Sequence, residues 1–182
     1  MEKLNLDELR KDLSVRGKNG IGFLLSGTLV WLAVTIVYMQ SFAIEWKNIL
    51  LLILTGLMFP AAVGISNMIR ADWKMEGNCL SRLGLIFNFA QFIYFPLVYW
   101  ALLENPEQMV FIFAVITGAH FFPYGWFYQT KAYYVMAPVI SVAITVIALA
   151  TGSERLWMIP LAMVILLIIL IAWLHADYKR KA

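Results

Sequence analysis

One histidine stands among hydroxyl-bearing side chains inside an apolar stretch of this sequence, and its imidazole could bind a ligand or carry a proton. If residues 108–128 form a helix, His120 shares a helical face with Thr117, Tyr124 and Tyr128. An unperturbed imidazole titrates near neutral pH and can donate or accept a hydrogen bond. Ionisable side chains inside a membrane segment are rare and commonly mark a functional site. His120 is therefore the first candidate residue.

A proline follows His120 by three residues and predicts a bend at the same place. Pro123 has no N–H to donate to the carbonyl of Ala119, so that carbonyl is expected to become available near the imidazole. The alternative is a neutral histidine that only bonds a neighbouring helix. No second His, Cys or buried carboxylate lies at ligand spacing from His120, so we predict no metal site and no cofactor.

Two further apolar stretches carry polar side chains that must find partners in a membrane. Asn88 and Gln91 lie three residues apart on one face of residues 82–103, and Ser141 lies on a small, polar face of residues 132–151. An unpaired carboxamide in hydrocarbon costs several kcal/mol. These residues either link helices or contact a ligand, and the sequence leaves both interpretations open.

Residue counting places these groups at similar depth. At about 1.5 Å per residue, Gln91, His120 and Ser141 each lie roughly 12–14 Å from the same edge of the membrane. Asn88 and Tyr124 are expected about one turn closer to that edge. Solute sites in membrane bundles commonly lie near the midplane. We therefore predict a ligand-binding site formed by His120, Gln91, Asn88, Tyr124 and Ser141, with no catalytic residue assigned.

Six apolar stretches must position these side chains, and each is long enough to cross a hydrocarbon core of about 30 Å as a helix. The chain has 182 residues, of which 62% are hydrophobic. This pattern predicts an all-α fold, a polytopic transmembrane bundle of six helices. The stretches cover residues 21–39, 48–65, 82–103, 108–128, 132–151 and 156–174.

Charge predicts the orientation of these spans. Of the 14 Lys and Arg residues, only Lys47 and Arg155 fall on one side if the spans alternate. Because cytoplasmic segments near spans carry the excess of Lys and Arg, both termini should be cytoplasmic. We expect a multi-pass protein of the plasma membrane.

Residues 1–19 differ from the remainder in character. Leucines on one face and charges on the others predict a short amphipathic cytoplasmic helix there, with residues 20–182 forming the six-helix transmembrane domain. The formal net charge of +3 suits contact with anionic lipid and gives no reason to expect nucleic acid binding. The predicted partners are the lipid bilayer, a small solute or lipid ligand, and a second copy in a homo-oligomer.

Three segments resemble one family. They are Gly-Ala-His-Phe-Phe-Pro-Tyr at 118–124, Leu-Asp-Glu-Leu-Arg-Lys at 6–11 and Gly-Leu-Met-Phe-Pro at 56–60. The sequence is similar to an uncharacterised group of small polytopic membrane proteins from Gram-positive bacteria, a domain of unknown function. The resemblance implies a bacterial plasma-membrane protein and supplies no activity.

Three hypotheses about function remain open. The first is binding or transport of a small solute or lipid in a polar and aromatic pocket near the midplane. The second is a non-catalytic accessory or assembly protein whose polar faces hold the bundle together. The third is an intramembrane enzyme that modifies lipid, with His120 as general base and Ser141 within reach. We rank them in the order binding or transport, accessory protein, enzyme.

Overall fold

The structure is a computed structural model that describes residues 5–182. Within this range the chain forms helices and no strands, so the predicted all-α fold is confirmed. Short 3₁₀ segments connect several of the helices. The α-helices are α1 (Leu6–Arg16), α2 (Ile21–Met39), α3 (Ile44–Gly56), α4 (Met58–Met68), α5 (Ser81–Ala90), α6 (Phe95–Glu104), α7 (Met109–Ala119), α8 (Tyr124–Phe127), α9 (Lys131–Ala150) and α10 (Met158–Lys181).

Five helical stretches in the described range are long and apolar enough to cross a membrane. They are Lys18–Met39, Ser81–Glu104, Pro106–Phe127, Lys131–Ala150 and Met158–Lys181. Helices α3 and α4 pass the same test of length and hydropathy together but are bent by 42° where they meet, and we count the pair as one span. We number these spans one to six in chain order, so that the bent pair is span two. The protein is therefore built as a multi-pass bundle, as the apolar stretches predicted.

Prolines break spans two and three, where the sequence predicted continuous stretches. Pro60 has no N–H to donate to Gly56, and α3 ends there with Leu57 N–H donating to Leu54, three residues back. Pro96 has the same effect in span three, where Phe95 N–H donates to Phe92. A 3₁₀ segment at Gln91–Tyr94 consequently separates α5 from α6.

The core of the bundle lies among α2, α7, α9 and α10. Trp31 of α2 packs on Phe113 of α7 with ring centroids 5.9 Å apart. Ile140 of α9 and Leu167 of α10 are among the side chains fully enclosed in the same cluster. Span three lies at the edge of this core: only 11% of its most apolar window is buried, against 44% for span four.

Helix α1 packs against one end of the bundle, which we call the α1 end. The Asn5 side chain caps α1 by accepting from Asp7 N–H. Leu13 of α1 is fully buried, whereas Leu6 is 46% exposed. Residues 1–4 of the predicted 1–19 segment lie outside the described residues. Helix α1 is thus docked by packing at its C-terminal half.

Candidate functional site

His120 lies where α7 ends, and its imidazole closes that end of the helix. Nδ1 is 2.6 Å from the carbonyl oxygen of Thr117. A carbonyl can only accept, so Nδ1 carries the proton and Nε2 of the neutral ring is left as an acceptor. Phe121 N–H donates to Gly118, three residues back, rather than to Thr117. The imidazole therefore donates to the Thr117 carbonyl in place of the Phe121 N–H, at the end of α7 where the backbone tightens into a three-residue turn.

This geometry corrects one expectation from the sequence. The Ala119 carbonyl was expected to be released by Pro123, but it accepts from Phe122 N–H at 3.2 Å. The chain between α7 and α8 follows three-residue turns, which satisfy Ala119 locally. Pro123 does separate α7 from α8, as predicted, but the carbonyl that His120 binds is that of Thr117, two residues before Ala119.

Asn88 and Tyr124 meet at one backbone carbonyl of span three. Asn88 Nδ2 donates to the Gly84 oxygen at 3.1 Å, and Tyr124 Oη donates to the same oxygen at 3.3 Å. Tyr124 is 8% exposed, so its hydroxyl reaches span three from within the bundle. This shared acceptor joins α5 to α8.

Aromatic rings surround these polar groups. The His120 ring lies 4.4 Å from Phe121 and edge-on to Tyr124 at 6.1 Å, measured between centroids. Phe87 of α5 lies edge-on to Tyr124 at 5.6 Å and to Phe127 at 6.1 Å. Edge-to-face contacts of this kind stabilise packing beyond the area they bury. His120, Asn88 and Tyr124 thus belong to one polar and aromatic cluster between spans three and four.

Nε2 of His120 has no hydrogen-bond partner among residues 5–182. No fully enclosed side-chain nitrogen or oxygen in that range lacks a partner, so Nε2 retains accessible surface. The neighbouring α5 contains no buried residue, and its Ile86 and Phe89 are largely exposed. The imidazole therefore presents an acceptor next to a loosely packed span.

Two predicted site residues form no hydrogen bond with this cluster, although Ser141 Oγ lies against Gly118 of α7. Ser141 Oγ donates to the Ala137 carbonyl of its own helix at 3.1 Å. The Gln91 carboxamide forms no hydrogen bond within residues 5–182 and lies in the 3₁₀ break of span three. In this range no hydrogen bond joins Gln91, His120 and Ser141. The structure thus brings together three of the five residues.

Two cavities in the described range are not lined by His120. One lies at the α1 end, lined in part by Ser66, Asp72 and Tyr128. The other is an open cleft at the opposite end, lined in part by Glu104 and Glu107. None of the five predicted site residues lines either cavity. Among the described residues, no group of three His, Cys, Asp or Glu side chains is placed to hold a metal ion.

The α1 end contains a polar network that the sequence did not indicate. Lys181 Nζ lies 2.8 Å from Asp177 and 3.0 Å from Ser14 Oγ. It also donates to the carbonyls of Tyr128 and Gln129, at 2.9 Å each. Its four partners come from α1, α10 and the loop after α8. The sequence carried one local sign of this region, Asn19 in the segment between Gly17 and Gly20. In the structure Asn19 adopts a positive φ of 54°, a conformation in which Asn is enriched.

Buried carboxamide and ion-pair contacts extend this network. Asn19 is fully buried, accepts from Ser14 Oγ at 2.5 Å and donates to the Leu174 carbonyl at 3.0 Å. Arg16 pairs with Asp72, which follows span two. Burial alone would raise the pKa of Asp72, but hydrogen bonds from Met75 N–H and Arg16 hold it below its usual value. Helix α1 is thereby tied to three separate parts of the chain.

Together these features define a helical multi-pass membrane protein with a polar and aromatic cluster between spans three and four. The chain belongs to a family of unknown function (DUF7010), which it matches over residues 6–177. No curated protein and no solved structure matches it.

Proposed function

We propose that this protein binds a lipid or a small amphiphilic solute between spans three and four, at the cluster of His120, Asn88 and Tyr124. The observation that supports this proposal is the accessible, unpaired Nε2 of His120 among aromatic rings.

The protonation of the site defines the chemistry of the ligand. Nε2 offers a lone pair, and Tyr124 already donates its hydroxyl proton to Gly84. A ligand that pairs with His120 must therefore bring a donor, such as a hydroxyl or an amide N–H. The α5 side chain that packs on Tyr124 and Phe127, Phe87, is apolar and aromatic, which suits contact with an acyl chain.

The proposed location is the plasma membrane of a Gram-positive bacterium, with both termini cytoplasmic. The excess of Lys and Arg at the α1 end supports this orientation, and the family resemblance of the sequence supports the origin. In this orientation the binding site lies nearer the cytoplasmic leaflet than the outer one.

Thermal unfolding of the purified protein with two matched amphiphiles tests the proposal. Monooleoylglycerol carries two hydroxyl donors, and methyl oleate has the same acyl chain with none. We expect monooleoylglycerol to raise the melting temperature of the wild type more than methyl oleate does. His120→Asn should abolish the difference, because asparagine can keep the bond to Thr117 but has no atom at the position of Nε2.

Ser141→Ala is the matched control, since Ser141 bonds only its own helix. It should retain the difference between the two amphiphiles. Equal shifts from both amphiphiles in the wild type, or an undiminished difference in His120→Asn, would overturn the proposal.

A second candidate is the accessory or assembly protein. The observation in its favour is that Asn88, His120 and Ser141 each bond a carbonyl of their own helix, as residues with a purely structural role do. The enzymatic alternative gains no such support, because the hydroxyl of Ser141 donates to Ala137 and not to His120. Failure of the amphiphile test would favour the accessory role.

A further inference from the structure

A small cavity lies at the α1 end, where the linker from α1 to α2 passes over α4. Its wall includes Gly20, Gly22, Ser66, Asp72 and Tyr128. Ser66 packs directly on Gly22, since an added Cβ at Gly22 would lie 2.2 Å from Ser66 Oγ. At Gly20, which has a φ of 78°, it would lie 3.2 Å from Tyr128 Oη. Both hydroxyls are therefore directed at the glycine-lined wall.

These two hydroxyls lack partners although their residues are buried. Ser66 is 2% exposed and Tyr128 is 6% exposed, and neither hydroxyl forms a hydrogen bond within residues 5–182. The other buried hydroxyls of that range have partners at Ser14, Ser26, Thr35, Tyr38, Tyr124, Thr130 and Tyr133. The two exceptions thus line one and the same cavity.

Neither hydroxyl is fully enclosed, so each keeps surface that a water molecule can reach. A polar group inside a protein that has no protein partner is commonly satisfied by ordered water. The cavity has a volume of about 20 Å³ open to the centre of a water molecule. A site needs about 10–15 Å³ by the same measure to hold one water, together with two to four polar partners. Ser66 and Tyr128 supply two such partners.

We propose that this cavity is a binding site for a single ordered water molecule that bridges Ser66 Oγ and Tyr128 Oη. The bridge links span two to the end of span four. Gly17, which follows Arg16, and Asp72, which pairs with Arg16, also line the cavity, so the C-terminal end of α1 borders this site. The proposal is independent of the function proposed for His120.

Whether Tyr128→Phe lowers or raises the melting temperature tests this site. If a water bridges the two hydroxyls, the variant loses a hydrogen bond and its melting temperature should fall by about 2–4 °C. If the cavity is dry, the same change removes an unpaired polar group, and the melting temperature should stay the same or rise. Tyr99→Phe is the control, because Tyr99 is 53% exposed and forms no hydrogen bond in the described range.

A double-mutant cycle with Ser66→Ala identifies the shared partner. Because both hydroxyls bind one water, the double variant should lose less stability than the sum of the two single changes. Additive losses, or a stabilising Tyr128→Phe, would overturn the proposal. The measurements are made in lipid-free detergent and again with added phosphatidylglycerol. The same coupling between the two substitutions in both conditions supports a bound water. A loss of stability seen only with phosphatidylglycerol contradicts the proposal and assigns the site to a lipid hydroxyl.

Discussion

The imidazole of His120 donates through Nδ1 to the carbonyl of Thr117, only three residues earlier in the chain, at 2.6 Å. The bond lies within one turn of helix and uses only one side of the ring. Nε2, on the other side, has no partner among the described residues. The structural and the ligand-binding interpretations of His120 therefore concern two different atoms, which can be changed separately.

Two amide substitutions at His120 should differ in stability. Asparagine can place its amide nitrogen near the position of Nδ1 and keep the bond to Thr117, whereas glutamine places its amide near Nε2 and loses that bond. We expect His120→Asn to unfold close to the wild type in the absence of ligand. His120→Gln should be less stable by about 1 kcal/mol. Thermal unfolding in detergent measures both. Equal stability of the two variants would show that the bond to Thr117 contributes nothing.

Helix α1 should loosen when the ammonium of Lys181 is removed. Lys181→Met leaves Asp177 and two loop carbonyls without their shared donor, which should cost about 2 kcal/mol. Hydrogen–deuterium exchange should rise in α1 and in the loop after α8. Lys179→Met is the matched control, because Lys179 lies exposed on the same helix. Equal exchange in the two variants would contradict a clamping role for Lys181.

The ion pair of Arg16 and Asp72 predicts loss of stability in acid. The pKa of Asp72 is lowered in the folded state, so its contribution is fully present above the unfolded value of about 3.9 and is lost as the pH falls through the lowered pKa. Asp72→Asn should lower the melting temperature at pH 7. Between pH 7 and pH 3 the melting temperature of this variant should then fall less than that of the wild type. Glu76→Gln, at an exposed carboxylate of the same loop, should keep the wild-type pH profile.

Membrane orientation follows from accessibility to an impermeant maleimide in intact cells. Glu45→Cys and Glu154→Cys lie at the end opposite α1, are exposed, and should react. Cys79, which is also exposed but lies at the α1 end, should react only after the membrane is permeabilised. Cys79 is replaced in the Glu45→Cys and Glu154→Cys proteins, so that each protein measured carries a single cysteine. Labelling of Cys79 from outside would reverse the proposed orientation.

Local rules allowed much of the fold to be predicted from the sequence. Apolar length determines whether a helix can cross a membrane, so the six predicted stretches correspond to five long apolar helices and one bent helix pair. Proline lacks an N–H, so the bends near Pro60 and Pro123 were also predictable from single positions. Asn88, Tyr124 and His120 were recognised as candidates because polar groups in apolar stretches must find partners.

Tertiary structure decided which groups on different helices meet. Sequence depth placed Ser141 level with His120, but depth does not determine which acceptor a hydroxyl takes: Ser141 lies against Gly118 of α7 and bonds its own helix. The four-partner site of Lys181 joins residues far apart in the chain, and no local pattern marks it. The unpaired hydroxyls of Ser66 and Tyr128 became visible only once packing placed both on one cavity. The sequence determined the helices and their order, because these depend on neighbouring residues; the contacts between helices depend on how distant surfaces fit together.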